Sequence, residues 1–432
     1  MKKTIYILVP ALLLAACSDD STPSIATTGS GIVLDAQVEQ AVTRAGTTGT
    51  IDDEVLHTTG FGVFASSTTE GYSADWLSNT RVTYTGGTLS EKDNVHIHPG
   101  QWNYGTTKEW PATGNISFYA YAPFVDAPDD TPGITAVNTT SADEPKVEYQ
   151  VAHKPSEAVD LLWGIKGTTG LPWTAANLNN TGGNVLFTFH HALAAIGYHV
   201  QAIVDQNNNL TDPDDKSTTG FLGTNCKVTI KSITLECTNG IFYDSGTLNL
   251  HNTAARTPLW KNRTATTNKT LTLNDEIDPL LLDPAPTDDS KIKDMMNDAS
   301  LKGITESANT QTVIAKKVIA ESGSEKEQFF MLIPDDGTKN YELTVEYYVT
   351  FKTADDHYTR LDYTGANAGK ATITGMELKA DTRYYMNMVI GLHSFSLNVT
   401  AIDWQDQAVP VGVTIEQASA ASEALSRPMA AK

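Results

Sequence analysis

Cysteine is nearly absent from this chain: three residues in 432, at positions 17, 226 and 237, too few for a disulfide framework. Cys226 and Cys237 flank Lys227 to Glu236, a run of Val, Thr and Ile that reads as one strand. Eleven extended steps separate the two by roughly 36 Å, whereas a disulfide needs Cα atoms within about 7 Å. Two buried free thiols are predicted. Pairing requires a hairpin, and the run holds no Gly, Pro, Asn or Asp to turn it. Basic charge is also scarce, with 30 Lys and Arg against 51 Asp and Glu for a formal charge of −21, and no basic run exceeds two residues. Such a chain repels nucleic acid. Long apolar runs are missing apart from Ile5 to Leu14, shorter than the roughly 20 residues that span a bilayer. Segments of helical period are few. No Gly-x-Ser-x-Gly elbow, His-Glu-x-x-His helix or Cys-His pair occurs, so no enzyme is predicted and no cofactor is expected.

What is present begins at the N-terminus. Lys2 and Lys3 precede the apolar run, and Leu14-Ala15-Ala16-Cys17 closes it. This is the pattern of a bacterial lipoprotein signal rather than a spanning helix. Small residues before a cysteine let a signal peptidase approach the backbone, and the Cys17 thiol then carries diacylglycerol. Residues 1–17 are read as the signal, with Cys17 as lipidation site. The other reading is an ordinary secretory signal with an incidental cysteine.

The remaining length suits two domains. Strand candidates rich in β-branched and aromatic residues run through Gly60 to Ala65, Ile116 to Tyr121, Val185 to Phe189 and Lys227 to Glu236. Others cover Glu327 to Ile333, Tyr341 to Lys352, Tyr384 to Ile390 and Phe395 to Ile402. Short strands without recurrent crossover helices indicate an all-β chain of sandwiches. A short helix is expected at Asp294 to Lys302. The polar segment 177–183 marks a boundary between domains at 45–183 and 184–404. Residues 405–432 form a tail ending in a low-complexity Ala- and Ser-rich run.

Two further strands lie at the ends. Ile32, Leu34, Ala36 and Val38 share one face of an extended segment, followed by Thr43-Arg44-Ala45-Gly46, a site open to a trypsin-like cut. Val409, Val411, Val413 and Ile415 repeat the pattern. Pro410 and Gly412 fall at the intervening positions. Two readings stand side by side. In one, cleavage removes the first strand and the last strand of another subunit fills the groove. Four aliphatic side chains give roughly 6 to 12 kcal/mol of gross burial, before ordering costs. In the other, Val409 to Ile415 pairs within its own domain.

These features occur together with Trp110-Pro111, Phe118-Tyr119-Ala120-Tyr121-Ala122-Pro123, Asp160-Leu161-Leu162-Trp163-Gly164, Phe187-Thr188-Phe189-His190-His191-Ala192-Leu193-Ala194 and Ser396-Leu397-Asn398-Val399-Thr400-Ala401-Ile402-Asp403-Trp404. In that order the chain resembles the fimbrillin family, the pilins of Bacteroidales type V pili. Ser18-Asp19-Asp20 is likewise similar to the surface-export signal of Bacteroidales lipoproteins. The resemblance implies two transthyretin-like or immunoglobulin-like β-sandwich domains in tandem and export as an outer-membrane lipoprotein. It also implies cleavage between Arg44 and Ala45 by an arginine-specific protease, and polymerisation with other pilin subunits, identical or mixed, into a surface fimbrium. Val409, Val411, Val413 and Ile415 would be the donor face of a stalk subunit. Removing residues 1–44 discards three positive and four negative side chains, taking the charge from −21 to −20. A tip adhesin or lipid-anchored surface protein that binds glycan or host protein is the alternative.

Other candidate sites fail on residue type. Gly365-Ala366-Asn367-Ala368-Gly369-Lys370-Ala371 has three residues where a phosphate loop has four, and Ala371 where it has Ser or Thr. Asp205-Gln206-Asn207-Asn208-Asn209 opens like a calcium loop, but Leu210 replaces the turning Gly and Lys216 the closing Glu. His96 and His98 share a strand side without a third ligand nearby and read as a surface pair. His190 and His191 end an apolar strand and are expected to pack with backbone partners. Trp102, Trp110, Trp163 and Trp404 are able to stack on sugars but more commonly fill cores.

Overall fold

The computed structural model describes residues 31–39, 50–67, 75–86, 90–92, 95–97, 100–106, 108–110, 115–126, 128, 132–138, 144–176, 184–203, 226–265, 269–273, 312–316, 318–321, 324–327, 329–352, 358–391, 395–404, 408–409 and 414–418. The chain opens with β1 (Val33–Val38), helix α1 (Asp53–Thr59), β2 (Phe61–Ser67) and β3 (Asp75–Thr85). There follow β4 (Ser90–Lys92), β5 (Val95–Ile97), β6 (Gln101–Asn103), β7 (Asn115–Ala122) and β8 (Gly133–Asn138). Next come β9 (Lys146–Gln150), β10 (Leu162–Ile165), β11 (Trp173–Ala176), β12 (Asn184–His191), β13 (Ala194–Ile203) and β14 (Cys226–Cys237). β15 (Ser245–Asn249), β16 (Leu259–Thr264), β17 (Thr270–Thr272), β18 (Thr312–Lys316), β19 (Val318–Glu321), β20 (Ser324–Glu327) and β21 (Phe330–Leu332) continue. The chain finishes with β22 (Lys339–Lys352), β23 (Tyr358–Tyr363), β24 (Gly369–Met376), β25 (Thr382–Gly391), β26 (Phe395–Asp403), β27 (Ala408–Val409) and β28 (Thr414–Ala418).

The fold is all-β, in two sandwiches. In the first, one sheet has the order β1-β12-β10-β7-β2-β3-β6, with β11 also on β7. It curls until its ends meet: β6 approaches β1, Gly31 bridges Glu109, and Ile32 N donates to Lys108 O at 2.7 Å. Alternation along the strands fills the interior with Leu34, Phe61, Val63, Phe118, Leu162, Phe187 and Phe189. Gly164 is required there, because a Cβ would stand 3.0 Å from the Ala120 side chain and 3.1 Å from Phe187. The intervening residues Phe64, Tyr119, Tyr121 and Trp163 join Val147, Tyr149, Leu248 and Trp260 in a second core, against the sheet β16-β15-β9-β8.

The second sandwich packs β18-β13-β25-β26-β27, with β21 on β13, against β17-β14-β22-β24-β28, with β23 on β22. Its faces meet through Ile196, Ile233, Leu343, Val345, Ile373, Met386, Met388 and Val399, which are continuous with the second core of the first sandwich.

The sheets do not divide where the polar segment predicted. β12 is hydrogen-bonded between β1 and β10, and β15 pairs with β9. Strands on both sides of residue 184 therefore build the first sandwich, and segment 177–183 links two of its strands. Nor is the fold complete at Trp404, since β27 pairs β26 and β28 pairs β24. The expected strand Glu327 to Ile333 is instead split between β20 and β21. Cys226 and Cys237 end a single strand, and the Cys237 thiol is free and buried. The helix expected at 294–302 lies outside the described residues, whereas α1 was not anticipated. Asp52 caps α1 by accepting from Val55 N at 2.8 Å.

Candidate functional site

β1 occupies the seam of the curled sheet. Ile32, Leu34, Ala36 and Val38 are 2, 1, 3 and 5% exposed and face the interior core. On one side β1 runs parallel to β12, from Val33 opposite Asn184 to Val38 opposite Phe189. On the other, its start is held by the Lys108 carbonyl and by Tyr104 Oη, which donates to Ile32 O at 2.8 Å. At its end Val38 N donates to Asp53 Oδ1 at 2.7 Å, and Glu39 N extends the pairing with β12 by donating to Phe189 O at 2.9 Å. The strand is buried like core and attached like an edge.

A charged cluster closes the same end. His190 Nε2 lies 2.6 Å from Glu39 Oε2, and Arg256 Nη2 lies 3.5 Å from Glu39 Oε1. On its other ring nitrogen, His190 Nδ1 contacts Asp381 Oδ2 at 3.0 Å, and the imidazole is 4% exposed. Burial alone would lower the His190 pKa, but Asp381 and then Glu39 outweigh it and raise it from 6.5 to about 9. Burial would raise the Glu39 carboxyl, yet His190 and then Arg256 hold it below its ordinary value. His191 faces a separate partner, Asp160, with Nδ1 2.7 Å from Oδ2 and its ring stacked on Trp404 at 3.7 Å. Asp160 also accepts from Ile51 N at 3.0 Å and Leu161 N at 2.9 Å. The two histidines thus bind carboxylates, not the backbone partners expected.

Residues after the expected cut thus have an anchor of their own, Ile51 N on Asp160, beside the bond from Val38 N to Asp53 that joins the two sides. Cys17, Arg44 and Ala45 lie outside the described residues. Val409 pairs by backbone with Ala401 and Ile415 with Ile373, while Val411 and Val413 lie outside the description. In the single chain the two described pieces of the tail, β27 and β28, thus lie at the edges of the two sheets of the second sandwich.

The sequence profile of the fimbrillin-like family matches residues 43–416. The chain belongs to the fimbrillin-like family. Its fold is shared with a fimbrial protein from Bacteroides vulgatus, at 17% identity and a TM-score of 0.53 over 86% of this chain and 99% of that one. A proposed cell adhesion protein from Bacteroides uniformis is a more distant match, at 13% identity and TM-score 0.37 over 87% of this chain and 100% of that one. No curated protein sequence matches.

In this fimbrillin-like chain the motifs named in the sequence lie in strands and core packing. Asp160 to Gly164 supplies the buried carboxylate, the Trp163 core side chain and the gap for Phe187. Phe187 to Ala194 forms the crossing from one sandwich to the other, where Trp260 Nε1 donates to Ala192 O at 2.9 Å. Trp110, Trp163 and Trp404 are buried. Trp102 packs edge-on against Phe61 at 5.0 Å and Tyr84 at 5.1 Å. Gly365 to Asn367 is a single 3-10 turn leading into β24, a strand connection as expected. Residues 205–216 and His98 lie outside the described residues. Glu39, Asp381 and Arg256 were not singled out in the sequence; the signal available was a charged residue following a strictly alternating apolar strand.

Proposed function

We propose that this fimbrillin-like chain is a fimbrial stalk subunit made as an inactive precursor. Export as a lipoprotein through Cys17 brings it to the outer membrane, and an arginine-specific protease cuts between Arg44 and Ala45. β1 then leaves the seam, and Val409, Val411, Val413 and Ile415 of another copy fill it. The observation that carries this reading is the attachment of β1. It contributes four side chains to the core, lies at the seam of its sheet, and precedes the cut, while the chain beyond the cut keeps an anchor of its own at Ile51 when the bond from Val38 to Asp53 is given up. Edge placement of β27 and β28 suits donation, because an edge strand peels away from one neighbour only.

Light digestion of the purified precursor with an arginine-specific protease tests the reading. Cleavage after Arg44 followed by SDS-resistant ladders and filaments by electron microscopy is expected, and deletion of residues 405–432 should abolish both. A cut monomer that keeps its tail paired and never assembles would instead indicate a surface adhesin.

A further inference from the structure

The two terminal strands share more than alternation. Ile32, Leu34, Ala36 and Val38 are followed at once by Glu39, and Val409, Val411, Val413 and Ile415 are followed at once by Glu416. Superposing the two series places Glu416 on Glu39. In the precursor, Glu39 stands against His190 and Arg256, with Asp381 on the far side of the imidazole. Removing residues 1–44 takes away one carboxylate and leaves His190 Nε2 in a buried position without its counter-charge. An incoming strand that restores a carboxylate there satisfies the cluster, and the register decides whether it does. A slip of two residues keeps the apolar face inward but brings Thr414 or Ala418 to the position, neither of which carries charge. A slip of one residue turns the apolar face outward.

We propose that Glu416 of a second copy takes the place of Glu39 between His190 and Arg256 and so fixes the register in which the donated strand fills the seam. This rests on the strand-exchange reading above. Pro410 then falls on Val33, the first residue of β1, where a missing N–H is best tolerated. Val413 falls on Ala36, and the seam must admit two more methyl groups there. In its own molecule Glu416 pairs by backbone with Thr372, so the residue is exchanged from one sheet edge to another.

The test uses the full precursor, cut after Arg44, with ladder growth as the readout and melting of the uncut protein as the folding control. Glu416→Gln should assemble about tenfold more slowly while melting like the wild type. Glu416→Arg should be slower still, and pairing it with Arg256→Glu should restore growth. Because Arg256→Glu also repels Glu39 and could weaken the precursor, a cysteine pair provides a second measurement. Copies carrying His190→Cys should crosslink to tails carrying Glu416→Cys and not to tails carrying Thr414→Cys or Ala418→Cys. Ladders from Glu416→Gln as fast as wild type, no recovery in the charge swap, or crosslinks peaking at 414 or 418 would each overturn the register while leaving strand exchange standing. Failure of the wild type itself to ladder would overturn strand exchange, and this proposal with it.

Discussion

Protonation of His190 is coupled to the grip on β1, because its charged form is held between Glu39, which on the proposed route would depart with the strand, and Asp381, which would stay. Arg256 is the remaining charged group at the cluster among the described residues. A folded-state pKa of about 9 against an ordinary 6.5 means the contribution is fully present below pH 6.5. It is lost as the pH rises through about 9; the whole shift amounts to about 3 kcal/mol of folded-state stability, and only the part due to Glu39 bears on β1, since Asp381 remains. Glu39 acts with the opposite sign: its lowered pKa makes its share present above the ordinary carboxylate range and lost only as acid protonates it. Release of the cut N-terminal peptide, followed by mass spectrometry, should therefore accelerate between pH 7 and pH 9.5. His190→Gln should release it quickly at pH 7 and flatten the profile. Asp160 makes a second demand. It accepts from two backbone N–H groups and His191 in a buried site, so Asp160→Ala leaves several polar groups unpaired. A loss of about 3 kcal/mol or more is expected in urea unfolding.

At the level of the element, β1 is core by burial yet lies at the end of its sheet's strand order, which is what the proposed removal requires. Leu34→Asp puts a charge into the interior and should destabilise the precursor by about 3 kcal/mol or more. The same substitution should leave the trimmed chain's melting unchanged, since β1 is then gone. Equal destabilisation before and after trimming would mean the strand is never released. The alternation of Ile32 to Val38 made this strand legible in the sequence, as it did β7, β12, β22 and β26, because period-two patterning reports one buried face directly. What the pattern did not report was pairing. β15 joins β9 across nearly 100 residues, and β12 pairs upstream although a turn-rich segment precedes it. Both depend on contacts distant in sequence. α1 was missed because only Leu56 of its seven residues is buried, too little for a helical period to register, although the Asp52 cap was there to be seen. The His190 cluster was illegible for the same reason as the sheet order: Glu39, Arg256 and Asp381 come together only in space.

On the scale of the whole molecule, the proposed assembly would require a trimmed chain of charge −20 to approach a copy of itself. Charges of one sign repel over the Debye length, about 30 Å at 0.01 M salt and about 8 Å at 0.15 M. The encounter that precedes strand exchange should accordingly be slow in dilute buffer. The contacts made afterwards are of another kind, since four aliphatic side chains and a carboxylate enclosed beside His190 are screened little by salt. Ladder growth should rise several-fold between 0.01 and 0.15 M salt, and ladders once formed should not dissociate on return to low salt. The opposite trend, growth slowing as salt is added, would mean that complementary patches outweigh the net charge and steer the two copies together. In that case Arg256 and its neighbours would act during approach as well as in the finished joint, and Arg256→Gln would remove the salt dependence. If repulsion governs, Arg256→Gln slows growth equally at every salt concentration, because its effect is then confined to the seated strand.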